Sequence, residues 1–137
     1  YLRVQIGGRM EIAMKKQILL YNIKDKKRAM DIRRVLMPLK IRIKTISPDE
    51  FAHPIGYLLG LSGYEASDAP AQDYFFEDEM MIMAGFTSYD IDQLIRGFHK
   101  RRIQGIPLKA IVTPHNQEWS SFKLYGDLKK EHEKMTE

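Results

Sequence analysis

The sequence predicts a small α/β protein, a three-layer sandwich in which helices cover both faces of a four-stranded sheet. Short apolar segments, typical of strands buried on both faces, alternate along the chain with segments whose apolar residues follow helical spacing. Strands joined through helices require right-handed parallel crossovers, and the two most apolar strands, the first and third, belong in the centre. We therefore expect a mostly parallel sheet of strand order 2-1-3-4, with a ferredoxin-like α+β sheet as the alternative.

The first predicted strand spans residues 17–22, which are nearly all apolar. Asp25 can cap the helix that follows, and apolar residues recur in it at helical spacing until Pro38 disturbs its last turn. Residues 41–46 alternate strictly between apolar and polar, so the second strand exposes one face to water and lies at an edge of the sheet.

A capping box follows the second strand at Ser47-Pro48-Asp49-Glu50, with serine at the cap, proline at the first helical position and glutamate three residues after the serine. It predicts one helical turn before Pro54, then a second short helix that Gly60 ends. The chain then enters a polar loop.

The second half of the chain repeats the order of strand and helix. Residues 80–84 form the third strand, and Thr87 or Ser88 caps a helix that we expect to end at Gly105. Residues 108–112 form the fourth strand. Asn116 is then the expected cap of the final helix, which carries Trp119.

Composition defines a single domain and excludes several classes of site. The 137 residues contain no cysteine, which rules out disulfides, thiolate metal sites and cysteine nucleophiles and suits a reducing cytoplasm. No apolar stretch reaches the eighteen or so residues of a membrane helix. We expect residues 14–137 to form the domain and residues 1–13 to be an arm. The run Ile6–Met10 resembles a translated ribosome-binding site, which favours Met10 or Met14 as the natural start, with a frayed arm as the alternative.

Charge is distributed unevenly along the chain. Residues 1–50 carry a balance of +8, residues 51–92 carry −8 without a single Lys or Arg, and residues 93–137 carry +4. The acidic stretch is either an acidic face or a set of loops packed against basic helices. The cluster Glu77–Glu79 is expected to lie away from the ligand cleft, where it either marks the start of the third strand or pairs with a basic helix.

In a parallel sheet of this kind, ligands bind beyond the carboxyl ends of the strands, which all lie at one edge. Several residues at these positions are also helix caps, whose free N–H groups attract an anion, although capping alone would explain them. His115 is the candidate for acid–base chemistry because its imidazole titrates near neutrality. The candidate ligand-binding residues are Asn22, Thr87, Ser88, Thr113, His115, Asn116 and Trp119.

Motifs for catalysis or cofactors are lacking. The sequence contains no Walker loop, no dinucleotide-binding glycine motif and no GxSxG elbow, and its four histidines are too dispersed for a metal motif. We therefore expect no cofactor and no metal, and catalytic residues stay unassigned. The basic helices offer a patch for phosphates, but no aromatic-rich strand accompanies it for stacking bases. Its cations are Lys24, Lys26, Lys27, Arg28, Arg33, Arg34, Lys100, Arg101 and Arg102.

Three segments, His53–Gly60, Phe76–Phe86 and Leu108–Trp119, resemble the bacterial family catalogued as domain of unknown function 3783. The resemblance covers the chain from about Lys15 onward and is strongest from Phe76. Pro38-Leu39-Lys40 departs from the glycine turn expected after the first helix. The resemblance implies a small bacterial cytosolic protein and no reaction.

These observations favour a non-enzymatic binding or regulatory module that recognises a small anionic ligand or a protein partner near the strand ends. The first alternative is a small hydrolase or transferase that uses His115 with Thr113 and Asn116. The second is nucleic-acid binding through the basic helices.

Overall fold

The computed structural model describes the backbone of residues 2–6, 9–13 and 15–136 and the side chains of residues 15–135. In the described residues the strands are β1 (Leu2–Ile6), β2 (Arg9–Ala13), β3 (Gln17–Tyr21), β4 (Arg42–Ile46), β5 (Met80–Ala84) and β6 (Leu108–Ile111). The α-helices are α1 (Lys26–Leu36), α2 (Ile55–Leu58), α3 (Ser88–Lys100) and α4 (Ser121–Thr136).

β1 and β2 pair with each other, antiparallel, in a two-stranded sheet of their own. The division into an arm and a domain stays a prediction. Of the residues on which the expected start rests, Gly7, Gly8 and Met14 lie outside the described residues.

The main sheet has the order β4-β3-β5-β6, which is the predicted order 2-1-3-4 and confirms a small α/β fold. β3 pairs parallel with β4, and β5 pairs parallel with β6. The expectation that all four strands run in one direction is wrong, because the central pair is antiparallel: Gln17 lies opposite Ala84, and Tyr21 lies opposite Met80.

The physical reason lies in the connection between the two halves. The crossover rule governs only strands that are joined through one helix, here β3-α1-β4 and β5-α3-β6. Residues 47–79 cover one face of the sheet, where the Leu59 oxygen accepts a hydrogen bond from Gln17 at the start of β3. They then return to the end where β4 stops, so β5 runs antiparallel to β3 and the sheet is mixed.

The antiparallel centre places α1 and α3 on the same face. Two right-handed crossovers that leave antiparallel neighbours in opposite directions must lie on one side of the sheet. Ile32, Val35 and Leu36 of α1 and Leu94 and Phe98 of α3 accordingly share one buried cluster with the inner residues of β3 and β5. The helices approach closely at Gly97, where a Cβ atom would lie 2.8 Å from Cγ1 of Val35.

The opposite face is covered by residues 51–76 and by α4 through a cluster rich in aromatic rings. Phe51 and Phe76 stack with ring centroids 4.4 Å apart, and Phe76 stacks on Tyr125 of α4 at 4.2 Å. The hydroxyl groups of Tyr21 and Ser121, both fully buried, share a hydrogen bond of 2.6 Å that joins β3 to the first residue of α4. Burial raises the pKa of Tyr21.

Most predicted caps are confirmed. Asp25 caps α1 by accepting a hydrogen bond from the Arg28 N–H, and Thr87 caps α3 within a capping box. The capping box of Ser47 and Glu50 is present as well, around a single 3₁₀ turn that precedes α2.

Two helix boundaries differ from the prediction. α3 ends at Lys100 rather than near Gly105, and Arg102 takes the left-handed conformation (φ 56°) that usually selects glycine. The final helix begins at Ser121, because Asn116 closes a local turn instead of capping a helix.

The two βαβ halves share an unusual backbone feature. A residue with positive φ directly follows each central strand, Asn22 after β3 and Gly85 after β5. Another follows the helical segment of each crossover, Lys40 after the 3₁₀ turn Met37–Leu39 and Arg102 after α3. The two halves therefore have positive φ at corresponding positions, after the central strand and after the helical segment.

The hydrogen bond between Tyr21 and Ser121 allows a direct test of how β3 and α4 are joined. We expect Tyr21→Phe to lower the free energy of unfolding by about 1–3 kcal/mol, because the buried Ser121 hydroxyl loses this bond. Adding Ser121→Ala should recover part of the loss. Urea denaturation of the single and double variants measures both effects, and additive losses would contradict a direct bond.

Candidate functional site

The predicted ligand-binding residues do not form one site, because β3 and β5 are antiparallel and their carboxyl ends lie at opposite ends of the sheet. Asn22 follows β3 and lies at the end of the sheet where β5 and β6 begin. The other candidates follow β5 or β6 and lie at or beyond the opposite end: Thr87, Ser88, Thr113, His115, Asn116 and Trp119. The expected common cleft is therefore absent among the described residues.

Asn22 has a structural role. Its side-chain amide donates hydrogen bonds to the backbone oxygens of Phe76 (2.9 Å) and Asp78 (3.0 Å). These bonds fasten the end of β3 to the segment that leads into β5. They use both amide hydrogens, so the donors are not available to a ligand.

The N-terminus of α3 already holds an anion of its own. Asp90 accepts hydrogen bonds from the Thr87 N–H (2.8 Å) and hydroxyl (3.0 Å), and the Lys16 ammonium contacts it at 2.8 Å. The Lys16 hydrogen bond is the main cause that lowers the pKa of Asp90. The Thr87 N–H and hydroxyl are therefore already engaged within the protein, and Ser88 is exposed, so both stay predictions as ligand contacts.

The turn after β6 is closed on itself. The Asn116 side chain accepts from the Thr113 N–H (2.9 Å) and donates to the Ile111 oxygen (3.0 Å), while the Asn116 N–H donates to the Thr113 hydroxyl (3.2 Å). His115 is exposed and meets the ring of Trp119 edge-on, with centroids 5.4 Å apart. No hydrogen bond among the described residues joins His115 to Thr113 or Asn116, so the arrangement offers no prepared catalytic pair.

Trp119 belongs to the wall of the aromatic core. It is partly buried against that core, and the Lys123 ammonium lies 4.1 Å from the centroid of its ring. Its backbone oxygen accepts from the Ile55 N–H at 2.8 Å, which ties the turn to the start of α2.

Two residues of the acidic cluster at the start of β5, Asp78 and Glu79, pair with helices, which is one of the two roles that the sequence left open. Glu79 binds Arg28 of α1 through both carboxylate oxygens, at 2.7 Å and 2.8 Å from two guanidinium nitrogens. This bond raises the pKa of Arg28. Asp78 contacts the Lys129 ammonium of α4 at 2.8 Å, and that hydrogen bond is the main cause that lowers the pKa of Asp78.

Beside the Arg28–Glu79 pair, an open groove of about 490 Å³ lies between α1 and the segment that follows α3. We call it the basic groove. Arg28 shapes it by donating to the backbone oxygens of Gln104 (2.8 Å) and Gly105 (3.2 Å), which holds that segment against α1. Its lining residues are Asp25, Lys27, Arg28, Asp31, Arg34, Arg101, Arg102, Ile103 and Gln104.

Cations exceed carboxylates in the basic groove by five to two. Asp25 is occupied by the Arg28 N–H, and Asp31 lies 3.3 Å from the Lys27 ammonium and 4.0 Å from the Arg34 guanidinium. Among the described residues, no carboxylate pairs with Arg101 or Arg102, and both are exposed. Two guanidinium groups in this groove thus lack a counter-charge among the side chains that the structure describes.

The charge pattern of the sequence corresponds to a pattern in space. Helices α1 and α3 cover one face of the main sheet, whereas residues 51–76, which lack Lys and Arg, pack on the other together with α4. α1 has five Lys or Arg residues and one Asp, whereas α3 has two basic and two acidic residues and so no net charge. The excess positive charge on the helical side of the sheet therefore comes from α1 and from Arg101 and Arg102.

Comparison with known proteins adds a family resemblance. Residues 79–135 match the model of a family described as Domain of unknown function (DUF3783). The matched segment contains β5, α3, β6 and most of α4, and it confirms the predicted resemblance over those residues. No curated protein and no solved structure matches the chain.

The matched family segment supplies one wall of the basic groove, with Arg101 and Arg102, while α1 supplies the other from outside that segment. From the sequence, these cations already form one predicted patch for phosphates. The structure adds that Arg101 and Arg102 line one groove with Lys27 and Arg34 of α1.

The described residues give no sign of a metal site or a membrane span. No group of three or more His, Asp or Glu side chains among them could hold a metal ion. Their helices are also too short or too polar to cross a bilayer.

The closed turn after β6 can be tested as a structural element. We expect Asn116→Ala to lower the free energy of unfolding by about 1–3 kcal/mol, because the Thr113 N–H and the Ile111 oxygen lose their partner. The exposed His115, changed to Ala, serves as the control and should alter stability by no more than about 0.5 kcal/mol. Chemical denaturation measures both, and equal effects would contradict the assignment.

Proposed function

We propose that this chain is a non-enzymatic binding module whose ligand carries phosphate or similar anionic groups and docks in the basic groove. One observation carries the proposal. Arg101 and Arg102, which have no carboxylate partner among the described residues, line the same groove as Lys27 and Arg34. Planar guanidinium groups bind phosphate and carboxylate oxygens in a bidentate manner, so this set suits an anion.

The backbone at Arg102 has the left-handed conformation (φ 56°), and Lys40, outside the groove, has the same φ. A non-glycine residue in this conformation costs roughly 1–2 kcal/mol. Glycine would relieve the strain at this position but would remove the guanidinium group from the groove.

Binding rather than reaction fits the groove chemistry. Its two carboxylates are already engaged, Asp25 as a helix cap and Asp31 with Lys27 and Arg34. The remaining lining residues are cations, Ile103 and Gln104, which provide neither a nucleophile nor a general base near neutral pH. The proposed module therefore holds its ligand without transforming it.

Isothermal titration with inorganic pyrophosphate tests the groove. We expect Arg101→Gln combined with Arg102→Gln to weaken binding about tenfold or more, because two charge-assisted contacts are lost. The control, Arg42→Gln combined with Lys130→Gln, removes the same charge from β4 and α4 and should bind as the unchanged protein does. Equal weakening in both double variants would indicate a general charge effect and would contradict the proposal.

A second prediction separates stability from binding at Arg102. Arg102→Gly should raise the free energy of unfolding by about 1 kcal/mol, because glycine adopts the left-handed conformation without strain, and it should weaken pyrophosphate binding. Lys40→Gly is the matched control, since Lys40 has the same φ of 56° and lies outside the groove. It should stabilise the protein and leave binding unchanged. Thermal unfolding and titration of both variants decide the matter, and unimpaired binding by Arg102→Gly would oppose the assigned role.

A further inference from the structure

The outer surface of α1 and α3 continues the basic groove with exposed cations and apolar side chains. Lys26 and Arg33 lie on α1, and Arg96 and Lys100 lie on α3, all exposed. Met30, Met37 and Tyr89 lie among or beside them with 54%, 70% and 69% of their surface exposed. We call this surface the helical layer face.

The two helices run antiparallel, which orders these residues along the helical layer face. Arg28 of α1 contacts residues 104 and 105 beyond the end of α3, and Val35 lies against Gly97. The start of α3, with Tyr89, therefore lies at the same end as Met37. The basic groove occupies one end, and Met37 and Tyr89 occupy the other.

A small anion would need only the basic groove. The cations of α1 extend further, over a helix of 11 residues that is about 16 Å long, a length that spans several phosphates of a nucleic-acid strand. Exposed methionine and tyrosine side chains give surfaces against which unpaired bases can pack, whereas the faces of bases in a duplex are hidden. On the opposite face, residues 51–76 carry carboxylates and no Lys or Arg, so that segment repels a polyanion.

We propose that the ligand of the basic groove is a single-stranded nucleic acid. Its phosphates contact Lys27, Arg34, Arg101 and Arg102, and its bases pack on Met30, Met37 and Tyr89. This inference rests on the proposed anion-binding function and adds the class of ligand. The absence of an aromatic strand does not oppose it, because the helical layer face provides the apolar contacts instead.

Fluorescence anisotropy with labelled single-stranded RNA and DNA of one sequence, about fifteen nucleotides long, tests the inference. We expect the logarithm of the association constant to fall linearly with the logarithm of salt concentration between about 50 and 200 mM. The slope should be about −2 to −3 for three or four neutralised phosphates. Binding of either strand type with this slope supports the proposal. A blunt duplex of the same sequence should bind more weakly.

Variants of the apolar residues separate base contacts from charge. Met30→Ala combined with Tyr89→Ala should weaken oligonucleotide binding about tenfold, since stacking contributes substantially per base, and should leave pyrophosphate binding unchanged. Met135→Ala combined with Tyr57→Ala is the matched control, because both residues are exposed elsewhere, and it should have no effect.

The outcomes distinguish this inference from the function on which it rests. Pyrophosphate binding without oligonucleotide binding overturns the inference and preserves the anion-binding function, whereas loss of both overturns both. Oligonucleotide binding that the Met30 and Tyr89 changes do not weaken also overturns the inference. So does tighter binding to phosphatidylcholine vesicles with about three-tenths phosphatidylserine, because that result indicates an anionic membrane surface.

Discussion

The antiparallel pairing of β3 with β5 is the constraint on which the rest of the structure depends. Both strands are buried on both faces, and each begins a right-handed crossover to an edge strand. Because they run in opposite directions, the two crossover helices lie together on one face and the aromatic cluster lies on the other. The basic groove exists because this arrangement brings the start of α1 beside the end of α3.

Local physics made much of the fold predictable from the sequence. Apolar runs such as Met80–Ala84 located the central strands, alternation located the edge strand β4, and Asp25, Thr87 and the Ser47 capping box located helix starts. These signals act over a few residues, so they can be recognised without tertiary contacts. Strand order followed from the same logic, since the most apolar strands need burial on both sides.

The direction of the second half could not be predicted in the same way. No local pattern in residues 47–79 indicates whether that connection crosses the sheet. The bonds that fix its end are long-range, because Asn22 donates to residues more than fifty positions away in the sequence. Because β3 and β5 are antiparallel, Asn22 and Thr113 lie at opposite ends of the sheet, and the expected ligand cleft does not form between them. The prediction that Asn116 caps a helix is wrong for a related reason, because a residue that can cap a helix can also close a turn.

The direction of β5 relative to β3 creates the surface that carries the basic groove, and a nuclear Overhauser experiment tests that direction most directly. We expect short Hα–Hα contacts across β3 and β5, either between Leu19 and Ile82 or between the two flanking pairs, and a contact of the Val35 methyl groups with Gly97. Cross-strand contacts of a parallel pair, with Val35 remote from Gly97, would contradict that direction.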